Sequence, residues 1–325
     1  MKLPRRKFLH LAAGAAALPA TSRMARAQAY PSRPVRIVVS VAAGGSADIV
    51  ARLIAQWLST RLGRPFIVEN RPGAGGNIAT EAVIRAPADG HTLLMAITPN
   101  AVNTTLYDNL NFVFLRDIAP VAGLTVDPTV MAVNPAVPAA TVSAFIAYAK
   151  ANPGKINMGS GGIGTVQHVA GELFKMMAGV NMVHVPYRGE GAALPDLIGG
   201  QLQLMFATIT ASISYIRSGM LRPLAVTSMT RAEALPDVPA VADFLPGYEA
   251  INFRGICAPK NTPAAIIDRL NQEINSGLAD PTVKARIADL GAVTIAGTPA
   301  AFGKFLADET EKWAKVVRFA GIKPE

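Results

Sequence analysis

Val35-Arg36-Ile37-Val38-Val39, with the turn that follows it, Val41-Ala42-Ala43-Gly44-Gly45-Ser46-Ala47-Asp48, decides the fold class. Four of the first five residues are β-branched, which predicts a strand. The glycines then break the pattern. Over 48–62, Ile49, Leu53, Ala55, Trp57 and Leu58 recur at approximately helical spacing. Phe66-Ile67-Val68 predicts a second strand, a helix follows from Asn77 to Arg85, and 92–97 predicts a third strand. Strand, helix and strand in this alternation imply a parallel sheet with helical crossovers, hence the α/β class.

The alternation restarts downstream. Strands are predicted at 130–133, 156–158, 183–185, 202–206 and 224–226. Helices are predicted between them at 143–151, 166–178, 192–198 and 212–218, the first stopped by Asn152-Pro153-Gly154. Two such series predict two similar α/β domains, and a chain near 300 residues is long enough to split its core in two. The apolar run 251–259 holds the single cysteine, Cys257, which reads as a buried strand thiol. Helices at 263–278, 281–290 and 299–319 follow, several with proline near the first turn. No long linker precedes them, so they are expected to pack back on the first domain.

Residues 1–29 read as an export leader. Lys2, Arg5, Arg6 and Lys7 precede the apolar stretch 11–20, and two overlapping small-x-small sites follow, ending at Ala27 and Ala29. The stretch is shorter than the roughly 20 apolar residues that span a bilayer. Arg5-Arg6-Lys7-Phe8-Leu9 is similar to a twin-arginine signal, while Pro4 and His10 leave the general secretory route open. Without the six basic residues of 1–29, the remaining chain has 25 basic and 22 acidic residues, a formal +3. That balance gives no basic stripe and no reason to expect nucleic acid.

Two glycine-rich strand-to-helix turns are the candidate site. One is Gly44 to Asp48. The other is Gly159-Ser160-Gly161-Gly162-Ile163-Gly164-Thr165-Val166-Gln167-His168. Glycine lets backbone N–H groups converge on a ligand, and the first N–H groups of a helix lack an internal partner. Such a terminus attracts anions. One turn in each series places two anion sites on facing domains. Ser160 and Thr165 could add hydroxyl donors. Valine at Gly45 or Gly161 is expected to block the ligand without unfolding its domain. A third cluster, 71–77, ends in Asn77, a candidate N-cap. Thr98-Pro99-Asn100 follows the third strand and reads equally as structure or as site.

Gly159, Gly161 and Gly164 also fit G-x-G-x-x-G, a weak dinucleotide signal by itself. No acid stands at the end of the next strand, which reads Val185-Pro186-Tyr187-Arg188-Gly189; Glu190 comes too late. No G-x-S-x-G, phosphate-binding P-loop motif or metal-ligand spacing occurs, and after the leader only His91, His168 and His184 remain. The sequence therefore predicts neither an enzyme, nor a cofactor, nor a metal.

The ordered set of motifs resembles the tripartite tricarboxylate transporter substrate-receptor (Bug) family across nearly all of the exported part. It includes Gly44-Gly45-Ser46-Ala47-Asp48-Ile49-Val50-Ala51-Arg52, Glu69-Asn70-Arg71-Pro72-Gly73-Ala74-Gly75-Gly76, His168-Val169-Ala170-Gly171-Glu172-Leu173-Phe174 and Val185-Pro186-Tyr187-Arg188-Gly189. The resemblance implies a two-lobed, Venus-flytrap fold of the type II periplasmic-binding-protein topology, each lobe a mostly parallel sheet with flanking helices. Lobe 1 would hold 30–125 and 229–325, lobe 2 126–228. It further implies a periplasmic receptor that captures a small organic carboxylate for the membrane permease of a tripartite transporter and acts as a monomer. The expected ligand contacts are Gly44, Gly45, Ser46, Asp48, Asn77, Thr98, Asn100, Ser160, Gly161, Gly164, Thr165, Gln167, Arg188, Gly189 and Thr208. The alternatives are a receptor that serves a sensor protein and an exported NAD(P)-dependent oxidoreductase. Two departures stand out. Gln203 and Ala207 replace acids usual in the family, and Phe253-Arg254 stands where a Trp is common. If Ala207 or Thr208 lines the cleft, an amine-bearing ligand loses a partner there, which favours a plain carboxylate.

Overall fold

The computed structural model describes residues 30–324, so the leader reading at 1–29 lies outside the described residues. The first series forms β1 (Val35–Val39), α1 (Ser46–Leu62), β2 (Phe66–Asn70), α2 (Asn77–Ile84), β3 (Thr92–Ile97) and α3 (Thr98–Leu106). A short helix, α4 (Phe114–Asp117), leads into β4 (Ile118–Val133). The second series is α5 (Val142–Ala151), β5 (Asn157–Ser160), α6 (Val166–Ala178), β6 (Val183–Pro186), α7 (Glu190–Ile198), β7 (Leu204–Thr208), α8 (Ile209–Arg217) and β8 (Arg222–Val226). The chain closes with β9 (Ile251–Pro259), α9 (Ala264–Ala279), α10 (Pro281–Asp289), β10 (Val293–Thr294) and α11 (Pro299–Ala320).

The sheet order is β2-β1-β3-β9-β4-β7-β5-β6, with β8 and β10 also on β4. The outer pairs, β1 with β2 and β3, and β5 with β6 and β7, are parallel, as helical crossovers require. The long central strands differ from the sequence expectation: β4 and β9 pair antiparallel with every neighbour. β4 was predicted only over its last four residues because Pro120, Gly123 and Pro128 interrupt the apolar pattern. The strand tolerates them through register shifts at Pro120/Ala122 and Gly123/Thr125.

β4 is what makes two lobes. From Ile118 to Pro128 it pairs with β9; from Thr129 to Val133 it pairs with β7 and β8. The chain returns at Thr227. Its N–H donates to the Thr129 carbonyl (2.9 Å), its hydroxyl accepts from the Thr129 N–H (2.8 Å), and its carbonyl accepts from the Ala250 N–H (2.9 Å). These two passages are packed side by side and fully buried at Thr129 and Thr227.

Three apolar clusters fill the layers. One lies between β1, β3 and the helices α1 and α9, with Ile37, Ile54, Leu58 and Ile274. Another sits under α7 and α8 with Leu197, Met205 and Val226. The third runs from Leu94 and Phe253 in the first lobe to Phe145, Phe174 and Phe206 in the second, and includes Trp313 of α11. The expected packing of the C-terminal helices holds for α9, whose Glu273 carbonyl accepts from Trp57 Nε1 at 2.8 Å. α11 does more: it packs on α3, β4 and α6, so it covers both lobes. Cys257 is fully buried in β9, and burial pushes its thiol well up from its ordinary range.

Candidate functional site

The two glycine turns face each other across a cavity of about 440 Å³ between the lobes. Its walls include Gly45, Ser46, Gly161, Thr165, Gln167 and Thr208 from the expected set, with Val41, Ala42, Ala43, Ile97 and Pro99 beside them. It also includes Glu190, Asn252 and Arg254, which the sequence reading did not select. A larger groove of about 750 Å³ opens on the outside of the first lobe between α1 and α10. It contains neither turn, so the interlobe cavity is the site the topology builds.

On the first lobe, α1 is preceded at its cap position by Gly45, which has extended backbone and no side chain to cap the helix. The first N–H groups of α1 are thus left for another acceptor. Gly44 and Asp48 shape the turn instead of lining the cavity. Gly44, at φ +89°, donates its N–H to Asp48 Oδ2 at 2.9 Å. Arg52 Nε reaches the same oxygen at 2.9 Å, and Asn70 Nδ2 reaches Oδ1 at 3.0 Å. The Arg52 guanidinium, with these amides, holds the Asp48 carboxyl below the usual carboxylate range against the opposing effect of burial.

Ser46 does face the cavity, and its Oγ accepts from Arg254 Nη2 at 2.7 Å. Arg254 is 2% exposed. Its Nη1 pairs with Asp127, and its Nε has no hydrogen-bond partner. Asn252 Nδ2 lies 3.4 Å from Asp127 Oδ2.

Other first-lobe candidates turn out to be internal ties. Asn77 is the first residue of α2, one past the cap Gly76, and its Oδ1 accepts from Asn103 Nδ2 at 2.9 Å. Thr98 Oγ1 donates to Asn252 Oδ1 at 3.2 Å and accepts from the Phe253 N–H at 3.0 Å. Asn100 accepts from the Ile97 N–H at 2.7 Å and donates to Thr80 Oγ1 at 2.8 Å. Thr98-Pro99-Asn100 therefore opens α3, with Pro99 in its first turn where proline is tolerated. Of these residues only Pro99 lines the cavity.

On the second lobe the turn is tied internally. The Gly161 N–H donates to Gln167 Oε1 at 2.7 Å. Thr165 Oγ1 donates to the Gly162 carbonyl (2.7 Å) and accepts from the His168 N–H (3.4 Å), so it caps α6. Ser160 is fully buried, with its Oγ 2.6 Å from His184 Nε2. The hydroxyls of Ser160 and Thr165 are engaged with the protein in this structure. Gly164, at φ +76°, faces Leu106 of the first lobe. Arg188 and Gly189 are exposed and outside the cavity wall. Ala207 is buried in the core under α8 and does not line the cavity.

Glu190 opens α7 and turns its carboxylate to Thr208. Oε1 accepts from the Thr208 N–H at 2.6 Å, and Oε2 from its hydroxyl at 2.8 Å. Burial pushes the Glu190 carboxyl up, the Thr208 donors and the Gln167 amide pull it back, and the negative charge of Asp127 adds to the rise.

His168 and His184 stack beneath the second turn, ring centroids 3.6 Å apart. His168 Nδ1 accepts from the Gly164 N–H at 3.3 Å. Burial lowers His168 to about 3, helped by the charges of His184 and Lys175, and lowers His184 to about 4, helped by Lys175. Both are neutral in the folded protein at pH 7. Below pH 6.5 the unfolded chain takes up protons that the folded protein refuses, so stability falls with pH. The limiting slope is about 1.4 kcal/mol per pH unit for each ring. Urea midpoints between pH 6.5 and 5 should fall in the wild type. They should fall less in His184→Asn; equal slopes would show that the pair is not the cause.

A sequence profile described as the tripartite tricarboxylate transporter family receptor matches residues 50–322. Protein BugT of Bordetella pertussis is 37% identical over 300 residues, 91% of this chain and 92% of BugT. R. palustris Rpa4515, solved with adipate, is 34% identical with a TM-score of 0.79, covering 91% of this chain and all of the other. MatC of Rhodopseudomonas palustris, solved with bound malate, is 31% identical with a TM-score of 0.76, covering 89% and 100%. These likenesses carry the two-lobed periplasmic-binding-protein fold as well as the sequence motifs. The chain belongs to the tripartite tricarboxylate transporter receptor family, and it is a substrate-binding receptor of that family rather than an enzyme.

Proposed function

We propose that this receptor captures a small organic carboxylate in the interlobe cavity and delivers it to the permease of a tripartite transporter. The observation that carries this reading is the uncapped N-terminus of α1 at Gly45, set beside Arg254 in a cavity between two lobes. Uncapped backbone N–H groups, the positive end of a helix dipole and the unpartnered Nε of the paired Arg254 make that wall a set of anion donors. The relatives solved with adipate and malate support the same ligand class. The lobes divide within β4, near 126, just before it leaves β9 for β7 at Thr129, and where the chain returns, near 228. Residues 1–29 serve as a cleaved leader to the periplasm, and the exported receptor acts as a monomer.

A thermal-shift screen against carboxylates, with adipate and malate among them, tests the reading. Ligand at ~100-fold over its Kd should stabilise the wild type by about 2.7 kcal/mol. Gly45→Val is the informative variant. Its Cβ has 3.9 Å to the nearest atom, the Ala42 carbonyl oxygen, and φ is −76°. Unliganded stability should stay within about 0.5 kcal/mol of wild type while the ligand shift disappears. Gly161→Val is not a clean partner to it, because its Cβ would stand 2.7 Å from Gln167 Oε1 and 3.0 Å from the Glu190 N. NADH and NADPH should shift neither protein. A full ligand shift in Gly45→Val, or a shift with NADPH and none with any carboxylate, would overturn the assignment.

A further inference from the structure

We propose that Glu190 is a specificity-determining residue that selects carboxylates bearing a protonated amine. The inference rests on the carboxylate reading above and deepens it.

Charge in the cavity is the starting point. Arg254 lines it from the first lobe, but its charge is matched by Asp127, with which it pairs. Asp48 is matched by Arg52 behind the turn. Glu190 lines the cavity from the second lobe and, among the described residues, forms no ion pair. Arg188, two positions away, is exposed and does not line the wall. The Thr208 N–H, the Thr208 hydroxyl and the Gln167 amide all donate to Glu190 and oppose the upward push of burial, which is larger, so a cation placed beside the carboxylate is what would hold it charged. Glu190 is thus a half-buried acid with three neutral donors and no cation of the protein beside it.

A plain carboxylate bound in this space either meets a second negative charge or requires Glu190 to take up a proton, each at an energetic cost. A ligand that carries an ammonium group removes the repulsion and supplies the missing counter-charge. The polarity of the cavity then orients it. The acid end goes to the first lobe, where the α1 N–H groups are uncapped and the buried Arg254 Nε lacks an acceptor. The amine end goes to Glu190. Ala207 and Gln203 carry no acid, yet the cavity has one from a different element, on the first turn of α7.

The test is calorimetric titration of matched pairs that differ in the amine: L-aspartate and succinate, L-glutamate and glutarate, 4-aminobutyrate and butyrate. In the wild type the amine-bearing member of at least one pair should bind about 10- to 100-fold more tightly, the range of a charge-assisted hydrogen bond. Glu190→Gln, nearly isosteric and still able to accept from Thr208, should erase that preference by weakening the amine-bearing member alone. Glu190→Asp, which keeps the charge and shortens the reach, should keep part of it, and it serves if the glutamine variant folds poorly. Equal or tighter binding of the amine-free members by the wild type overturns the inference and leaves the carboxylate reading standing. A preference that survives in Glu190→Gln also overturns it, as does no binding by any of the six; the screen above then decides the carboxylate reading separately.

Discussion

Replacing Arg254 with methionine should lower the stability of the unliganded protein by about 3–5 kcal/mol. Methionine keeps most of the side-chain length and removes the charge. Asp127, 7% exposed, is then left with only the long contact from Asn252 at 3.4 Å. A carboxylate stranded in this way bears its desolvation without a counter-charge. The same change removes the donor to Ser46 and loosens the turn at the head of α1. Chemical denaturation of Arg254→Met, Asp127→Leu and the double variant gives the coupling between the two sites. The double variant should be closer to wild type than Arg254→Met, since no buried charge is left unpaired. If the single change cost under about 1 kcal/mol, the pair would be behaving like a solvent-screened surface bridge. Such a result would mean that the pair does not hold Arg254 in place beside Ser46.

Much of this architecture could be read from the sequence because it is local. β-Branched runs, glycine breaks and first-turn prolines act over a few residues, and they located β1, β3, α6 and α10 closely. The glycine turns were legible for the same reason. The roles of individual polar residues were not, because residue type does not say where a hydrogen bond goes. Asp48, Asn100 and Ser160 lie in or beside the turns and have suitable chemistry, yet each is occupied by a neighbour of its own lobe. Glu190 and Arg254 were quoted only as departures from other patterns. Their significance depends on α7 and β9 meeting across the cavity, although 64 positions separate the two residues in the chain. β4 was hidden in the opposite way. Its prolines carry a strong local signal against a strand, and long-range pairing with β9 overrides it.

Trp313→Ala should cost about 3–5 kcal/mol and should destabilise both lobes together. Trp313 is fully buried, and its indole N–H donates to Glu309 Oε2 at 2.9 Å. It belongs to the apolar cluster that holds Leu94 and Phe253 of the first lobe and Phe145 and Phe174 of the second. α11 packs on α3, β4 and α6, so removing the indole opens a cavity where the two halves share one core. The lobes are thereby coupled through packing, not only through the two chain passages at Thr129 and Thr227. Calorimetry should show one transition in the wild type and one in Trp313→Ala, displaced downward by roughly 10 °C. Trp313→Phe keeps the ring and should lose less, with the unpaired Glu309 oxygen as the remaining penalty. Two resolved transitions in Trp313→Ala, with only one of them displaced, would show that each lobe carries its own core and that α11 merely lies across them. One displaced transition means that the two lobes unfold as one body, because Leu94, Phe253, Phe145 and Phe174 share the core that Trp313 of α11 completes.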